Sequence, residues 1–190
     1  MRKIGFDDLM SPEAYEAMRH DLRRRVIDVK KSRRLQVGPR VSLLFENRDT
    51  VLFQVQEMLH IERVTQRQRA QEEIDVYNDL IPDNGELSAT LFLEFEDSRK
   101  MAEELPRLVG IETSISLLVG EHTVDAVPLE ARSKEDTTST LHYLRFPLSA
   151  QAREAFRRGE KAFLVIAHPN YSQMVKLEEP MQAELARDPA

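Results

Sequence analysis

The chain has 190 residues, of which 41% are hydrophobic and 32% are charged, and its formal net charge is -6 at pH 7. These values are typical of a soluble globular protein, and the negative charge argues against general nucleic-acid binding. Cysteine is absent, which excludes disulfides, thiol catalysis, and zinc or iron–sulfur sites with cysteine ligands. The sequence shows no signal peptide and no run of the ~20 apolar residues that cross a membrane, so we expect a cytoplasmic protein.

Helical patterns dominate residues 1–84. Ser11-Pro12-Glu13 is typical of a helix start, and apolar residues then recur at spacings of three and four, which predicts a helix to about Arg34. The apolar run Val41–Phe45 is either a strand or a buried lead-in to the next helix. A central amphipathic helix is predicted over Thr50–Val64, and a third helix is predicted from about Gln68.

Strand and helix patterns alternate in residues 85–190. We expect strands over 87–95, 115–119, 123–127, 142–148, 162–168 and 171–177. We also expect helices from Asp97 or Ser98 to about Leu108, from Ser149 to about Arg158, and from Glu179. The predicted fold is therefore a single α+β domain. Its helical N-terminal half (1–84) packs on a mostly antiparallel sheet of about five strands with flanking helices, formed by residues 85–190.

The central helix carries charged residues on its apolar stripe. At 100° per residue, Val51, Val55 and Leu59 share one face with Glu62, and with Arg48 if the helix starts early enough. Arg48 and Glu62 are about 21 Å apart along a helix, so each needs a partner elsewhere. Two interpretations remain open: structural ion pairs or caps, and a polar cavity between helices that binds an anion or a metal.

The first predicted helix has a strongly basic face and tail. One interpretation is a solvated surface whose last turn suits the helix dipole. The other is a docking surface for an acidic partner or a phosphate-bearing ligand. The basic residues of this segment are Arg19, Arg23, Arg24, Arg25, Lys30, Lys31, Arg33, Arg34 and Arg40.

The spacing of Glu57 and His60 places two metal ligands on one helix face. Ferritin-like di-iron bundles use this spacing, but they need two such motifs and two further glutamates. The chain has one, so a metal at Glu57 and His60 is an alternative hypothesis, with Glu46 and Glu62 as added carboxylates. Ser88 and Thr90 have no histidine and acid nearby in the sequence that would complete a catalytic triad, and no glycine-rich phosphate-binding motif occurs. We expect His142 and His168 to be structural.

The segments FENRDTVLFQVQEMLHIERV, EEIDVYNDLIPDNGELSATLFLEF and KKSRRLQVGPR resemble a bacterial family of unknown function, number 3501. The resemblance covers nearly the whole chain. It implies no established activity, but genes for family members often neighbour those for rubrerythrin-like proteins and iron–sulfur oxidoreductases. It therefore implies an accessory role in redox or oxidative-stress metabolism. Where the family has Arg in QEMLR, this chain has His60, so a His60 metal ligand is not implied for the family.

The polar residues of the family block extend the central helix into a wider candidate site. The positions carried over are Glu46, Asn47, Arg48, Thr50, Gln54, Glu57, Glu62, Tyr77, Asn78, Glu86, Ser88 and Thr90. From these we define a polar seam that is expected to bind a ligand: Glu46, Arg48, Gln54, Glu57, Glu62, Tyr77, Asn78 and Glu86.

Our leading hypothesis is a non-enzymatic accessory protein that binds a partner or a small polar ligand in a redox system. The expected partners are rubrerythrin-like proteins or iron–sulfur oxidoreductases, and the cofactor is unknown. The alternatives are a metal-dependent enzyme with its site on the central helix, and a homodimer built on the helical half.

Overall fold

The computed structural model describes residues 1–130 and 132–188. Within them the fold is α+β, with six α-helices and two antiparallel sheets. The helices are α1 (Pro12–Lys31), α2 (Arg48–Ile61), α3 (Arg67–Asn78), α4 (Ser98–Glu104), α5 (Ala150–Arg157) and α6 (Glu179–Leu185). The strands are β1 (Arg34–Gln36), β2 (Val41–Glu46), β3 (Glu86–Leu93), β4 (Ile115–Val119), β5 (His122–Asp125), β6 (Val127–Pro128), β7 (Leu141–Pro147), β8 (Ala162–His168) and β9 (Tyr171–Lys176).

The two sheets share one hydrophobic core. The five-stranded sheet has the order β1-β2-β3-β7-β6, and the four-stranded sheet has the order β5-β4-β8-β9. Alternate residues such as Phe45, Leu91 and Leu117 are fully buried in this core, as the period of two along a strand requires. Ala155 and Phe156 of α5 join it as well. We call these sheets with α5 and α6 the two-sheet body.

The first three helices form a second layer, which we call the helical layer. It has its own buried cluster, in which Val51, Val55 and Leu59 of α2 meet Ile74 of α3 and Ile4 of the N-terminal segment. The buried stripe predicted for the central helix is thus confirmed at these three positions of α2. Tyr143 of β7 packs against this cluster, which places the helical layer on the outer face of the five-stranded sheet.

Side-chain caps fix where several helices start. The Ser11 hydroxyl accepts a hydrogen bond from the Ala14 amide at 3.2 Å at the start of α1. The Asn47 side chain accepts one from the Thr50 amide at 2.9 Å, and the Thr50 hydroxyl accepts one in return from the Asn47 amide at 3.0 Å. These reciprocal bonds satisfy amides that have no partner inside the first turn of a helix.

The structure corrects the sequence prediction in the number and placement of strands. The α+β class is confirmed, but the N-terminal half is not purely helical, because β1 and β2 belong to the five-stranded sheet. The described residues form nine strands in two sheets, where one sheet of about five strands was expected. All six residues of β2 are buried, so its sequence lacks the alternation that marks a strand with one exposed face. In the described residues, no helix has the length and apolar content needed to span a membrane.

Candidate functional site

The residues of the predicted polar seam do not meet in one pocket. Glu46 and Gln54 form one cluster at the start of α2, where the Gln54 amide donates to Glu46 at 3.0 Å. Glu57 belongs to a second cluster near the other end of α2. Glu46 ends β2, before α2 begins, whereas Glu57 lies about two and a half turns, or roughly 14 Å, from the start of α2 at Arg48. The predicted seam is therefore divided into separate clusters.

The Glu46 carboxylate anchors the start of α2 to the five-stranded sheet. Its side chain is fully buried, and it accepts hydrogen bonds from the hydroxyls of Thr50 at 2.5 Å and Thr90 at 2.7 Å. It also precedes the N-cap residue Asn47, so the positive end of the helix dipole faces the carboxylate. Neutral donors and the helix dipole together compensate this buried charge, which gives Glu46 a structural role.

Arg48 and Glu62, the two charges predicted to be buried on α2, have different environments. The Arg48 guanidinium lies 2.7 Å from the Asp8 carboxylate and is largely shielded from solvent, which matches the ion-pair interpretation. Glu62 is exposed, so the prediction that it is buried was wrong. Glu62 is the C-cap residue of α2, which ends at Ile61, and its side chain is exposed at the turn that follows the helix.

A hydrogen-bonded cluster of Tyr15, Arg19 and Glu57 joins α1 to α2. Arg19 binds the Glu57 carboxylate through both oxygens, at 2.7 Å from Nε and 2.9 Å from Nη2. The buried Tyr15 hydroxyl donates to the same carboxylate at 2.5 Å. The hydrogen bond from Arg19 is the largest effect on Glu57, and its pKa is lowered to about 2. Burial, followed by the bond to Glu57, raises the pKa of Tyr15.

These pKa shifts leave the cluster without a general acid or base near neutral pH. Glu57 is held as a carboxylate that already accepts three hydrogen bonds, and Tyr15 is held as a phenol that donates one. A general acid or base works best when its pKa lies close to the working pH. The arrangement therefore stabilises the contact between α1 and α2.

The proposed metal pair Glu57 and His60 would require a rearrangement. Both oxygens of Glu57 are bonded by Arg19, so a metal ion would have to displace a guanidinium. The His60 ring packs edge-on against Tyr15, and its Nε2 atom lies 3.3 Å from the Glu16 carboxylate. No group of three or more potential metal ligands occurs in residues 1–130 and 132–188. The metal hypothesis stays a prediction, which elemental analysis of untagged protein purified without chelator would test.

Beside this cluster lies an open groove of about 1090 Å³, which we call the helical groove. It runs between the segment at 6–10, the first half of α1, the end of α2 and the start of α3. Its lining is mainly apolar, with Phe6, Leu9, Met10, Leu59, Ile61, Val64 and Ala70. Charged or polar side chains rim it, namely Glu13, Glu16, Arg19, His60, Arg63 and Arg67.

The remaining members of the polar seam serve other contacts. Asn78 exchanges two hydrogen bonds with the backbone of Ile4, at 2.8 and 2.9 Å, and so ties the N-terminal segment to α3. Glu86 forms an ion pair with Arg145 at 3.0 Å. Tyr77 is half-buried against the cluster of the helical layer. None of these three residues lines the helical groove.

The predicted basic docking surface on α1 is largely neutralised. Arg24 pairs with Asp21 at 2.5 Å and Lys31 pairs with Asp28 at 2.8 Å, each within one turn of the helix. Arg33 is not on the surface at all, because its side chain is fully buried. The run of basic letters in the sequence therefore overstates the positive charge that a partner would meet.

Sequence reasoning missed the role of Arg33. Its guanidinium donates to the carbonyls of Phe45 at 2.9 Å and Glu46 at 3.2 Å, and it forms ion pairs with Glu184 and Asp188. These contacts fasten the C-terminal segment to β2. Burial raises the pKa of Asp188 to about 6, although Arg33 acts in the opposite direction. No signal in the sequence separates Arg33 from the exposed Arg34 beside it.

His142 and His168 are both buried, and each ring is hydrogen-bonded to a nearby loop. His142 has no exposed surface, and its Nε2 atom lies 3.0 Å from both the Thr138 hydroxyl and the Ser139 carbonyl. Burial lowers the pKa of His142. The Nε2 atom of His168 lies 3.0 Å from the Val109 carbonyl. Both rings therefore pin loops to strands.

Comparison with known proteins places the chain in a family. No curated protein matches it. It is similar to the crystal structure of a novel protein of unknown function from Burkholderia pseudomallei K96243, with 34% identity and a TM-score of 0.93. That match covers 98% of this chain and 99% of the other. A family model described as "Protein of unknown function (DUF3501)" matches residues 3–189. The chain therefore belongs to the DUF3501 family, as its sequence segments had indicated.

Proposed function

We propose that this protein is a non-enzymatic binding protein whose helical groove receives an apolar segment of a partner protein. The observation that carries the proposal is the open, apolar lining of that groove. Ile61 lines the groove and is 64% exposed. Exposed apolar side chains gathered in a concave, polar-rimmed surface are typical of interaction sites.

The size and shape of the groove favour a peptide over a small molecule. Small-molecule sites usually enclose about 300–1,000 Å³ and bury most of the ligand. The helical groove has about 1090 Å³ and is open along its length, between α1 on one side and the α2–α3 turn on the other. An amphipathic helix laid into a groove between helices would bury its apolar face in this way.

The Tyr15–Arg19–Glu57 cluster supports binding because it makes one wall rigid. The bidentate contact between Arg19 and Glu57 fixes both side chains across α1 and α2. A groove that is already formed costs less ordering entropy when a partner binds. The cluster contributes shape to the site without contributing acid–base chemistry.

The family resemblance suggests which partners to test first. Its implied neighbours are rubrerythrin-like proteins and iron–sulfur oxidoreductases, so we propose that the segment received by the groove belongs to such a redox protein. In this role the protein would act as an accessory of a redox system and would need no cofactor of its own.

A pair of equally exposed apolar residues gives a matched test. Ile61 and Val76 are each 64% exposed, but only Ile61 lines the groove. We expect Ile61→Glu to abolish co-purification with a rubrerythrin-like or iron–sulfur protein expressed from the neighbouring genes. The reason is that the variant puts a charge among the apolar residues that line the groove. Val76→Glu is expected to leave co-purification unchanged. Equal behaviour of the two variants, or no complex with the wild-type chain, would refute the proposal.

A further inference from the structure

The turn that follows α2 contains a backbone conformation that glycine normally supplies. Arg63 has a φ of 53°, and it is the sole non-glycine residue with positive φ in residues 1–130 and 132–188. The Val64 amide donates to the Leu59 carbonyl at 2.9 Å, and the Arg63 amide donates to the His60 carbonyl at 3.2 Å. These two bonds define a Schellman motif, whose left-handed position is usually glycine.

The end of α5 shows the ordinary form of the same motif. There the Glu160 amide donates to the Ala155 carbonyl at 3.1 Å, and the Gly159 amide donates to the Phe156 carbonyl at 3.2 Å. Gly159 has a φ of 76° and occupies the position that Arg63 occupies after α2. A side chain in this conformation is destabilising relative to glycine. The chain thus carries an arginine at a place where folding alone favours glycine.

Arg63 places an unpaired positive charge on the rim of the helical groove. Its side chain is exposed and lines the groove, and among the described residues no carboxylate lies within ion-pair distance of it. Arg67 lies on the same wall, also without a carboxylate partner in the described part of the chain. Its guanidinium stacks over the Phe6 ring at 4.5 Å, so the charge is held beside an apolar residue that lines the groove.

The other charged groups of the groove do not neutralise this wall. The Glu57 carboxylate is held by Arg19, and Glu16 is close to His60 on the α1 side. Glu13 also lies on the α1 side, where its pKa is lowered first by a hydrogen bond to its own backbone amide. The α2–α3 wall, which we define by Arg63 and Arg67, is therefore positive and free to pair with a ligand.

We infer that the partner segment is an amphipathic helix whose apolar face fills the groove and whose carboxylates face Arg63 and Arg67. This inference rests on the proposed function, since it specifies the charge of the segment that the groove receives. Carboxylates beside the apolar face complement the positive wall, and arginine pairs with carboxylates through two parallel hydrogen bonds.

Two synthetic helical peptides of about four turns would test the charge preference. They share one leucine face, and their flanking positions carry either glutamate or lysine. Fluorescence anisotropy is expected to show tighter binding of the glutamate peptide to the wild-type chain. Exposed ion pairs are worth about 0.2–1 kcal/mol each, so Arg63→Gly and Arg67→Gln should each weaken binding of that peptide by about 1.4- to fivefold. The preference should fade at high salt.

The melting temperature of Arg63→Gly is a second readout, and it would change in the opposite direction if Arg63 had a structural role. Because glycine suits the left-handed position, we expect the variant to melt about 2–4 °C higher while it binds the glutamate peptide less well. A lower melting temperature would mean that Arg63 serves the fold, and it would overturn the inference. Arg63→Asn, which tolerates the same backbone conformation but carries no charge, should reproduce the loss of binding.

The outcomes separate this inference from the proposal on which it rests. If both peptides bind equally and Ile61→Glu abolishes both, the groove is a peptide site and only the charge preference is wrong. If neither peptide binds, or Ile61→Glu changes nothing, the groove proposal falls and the inference falls with it.

Discussion

The two-sheet body and the helical layer treat charged residues differently. In the body, Arg33 is fully buried and reaches two carbonyls and two carboxylates. In the helical layer, Arg19 makes an equally good bidentate contact, but its side chain is 34% exposed at the rim of a groove. The first arrangement completes a core. The second holds open a surface that another molecule can reach.

This difference supports the proposal that a partner binds at the helical layer. In the body, the buried and paired Arg33 fixes the position of the C-terminal segment against β2. The helical layer has a smaller buried apolar cluster than the body, and Ile61 remains exposed in its groove. The two arginines differ in their surroundings: Arg33 is enclosed by the core, whereas Arg19 borders an open groove.

The largest expected effect comes from breaking the buried pair in the body. Arg33→Met leaves Asp188, which is 3% exposed, without its cation, and it frees the carbonyls of Phe45 and Glu46. Removing one partner of a buried pair costs about 3–5 kcal/mol. We therefore expect urea unfolding to show a loss of that size in the free energy of unfolding.

The neighbouring residue provides the control for this variant. Arg34 is 40% exposed and pairs with Glu94 at 3.4 Å, so Arg34→Met should change the free energy of unfolding by less than about 1 kcal/mol. Similar losses for both variants would mean that the buried pair is no more important than a surface pair, and the contrast between the two regions would fail.

The same contrast explains how far the sequence could predict the fold. Helix starts at Ser11 and Ser149 and the strands after Gly85 depend on local patterns, and the structure confirms them. The three-residue strand β1 was missed because so short a segment does not show a period. The strands β5 and β6 were predicted as one strand over 123–127. The fully buried β2 has no alternation from which it could be distinguished from a buried helix segment.

The candidate site was less predictable than the fold, for a physical reason. The spacing of Glu57 and His60 and the family resemblance put Glu57 in the candidate site. The helical projection put Glu62 on the buried stripe, although α2 ends at Ile61 and Glu62 is exposed. The partners of Glu57 come from α1, and those of Arg33 come from the C-terminal segment. Contacts between residues so far apart in the chain leave no trace in local spacing.

The pH dependence of stability should have opposite signs in the two regions. The pKa of Glu57 falls from 4.5 to about 2, so its contribution is present above pH 4.5 and is lost as the pH falls through 2. The pKa of Asp188 rises from 3.8 to about 6, so its contribution is present below pH 3.8 and is lost as the pH rises through 6. Linkage gives roughly 1–2 kcal/mol for the partly exposed Glu57 and about 2–3 kcal/mol for Asp188.

Two carboxylate-to-amide variants separate these contributions. Urea unfolding at a series of pH values from about 3 to 8 should show that Asp188→Asn removes the fall in stability between pH 3.8 and about 6. Glu57→Gln should remove part of the loss that the wild-type chain shows below pH 4.5. If both variants shift the curve in the same direction, the environments assigned to these two carboxylates are wrong.

The smallest expected effect on stability concerns Ile61, one of the apolar residues that line the groove. Ile61 is 64% exposed, so Ile61→Ala should change the free energy of unfolding by no more than about 0.5 kcal/mol. Ile74 of the same layer is fully buried, and Ile74→Ala should cost about 2–5 kcal/mol. A near-neutral Ile61→Ala that nevertheless weakens the glutamate peptide would show that this side chain serves binding and not folding. A large loss of stability on Ile61→Ala would instead mean that this side chain contributes to the hydrophobic core.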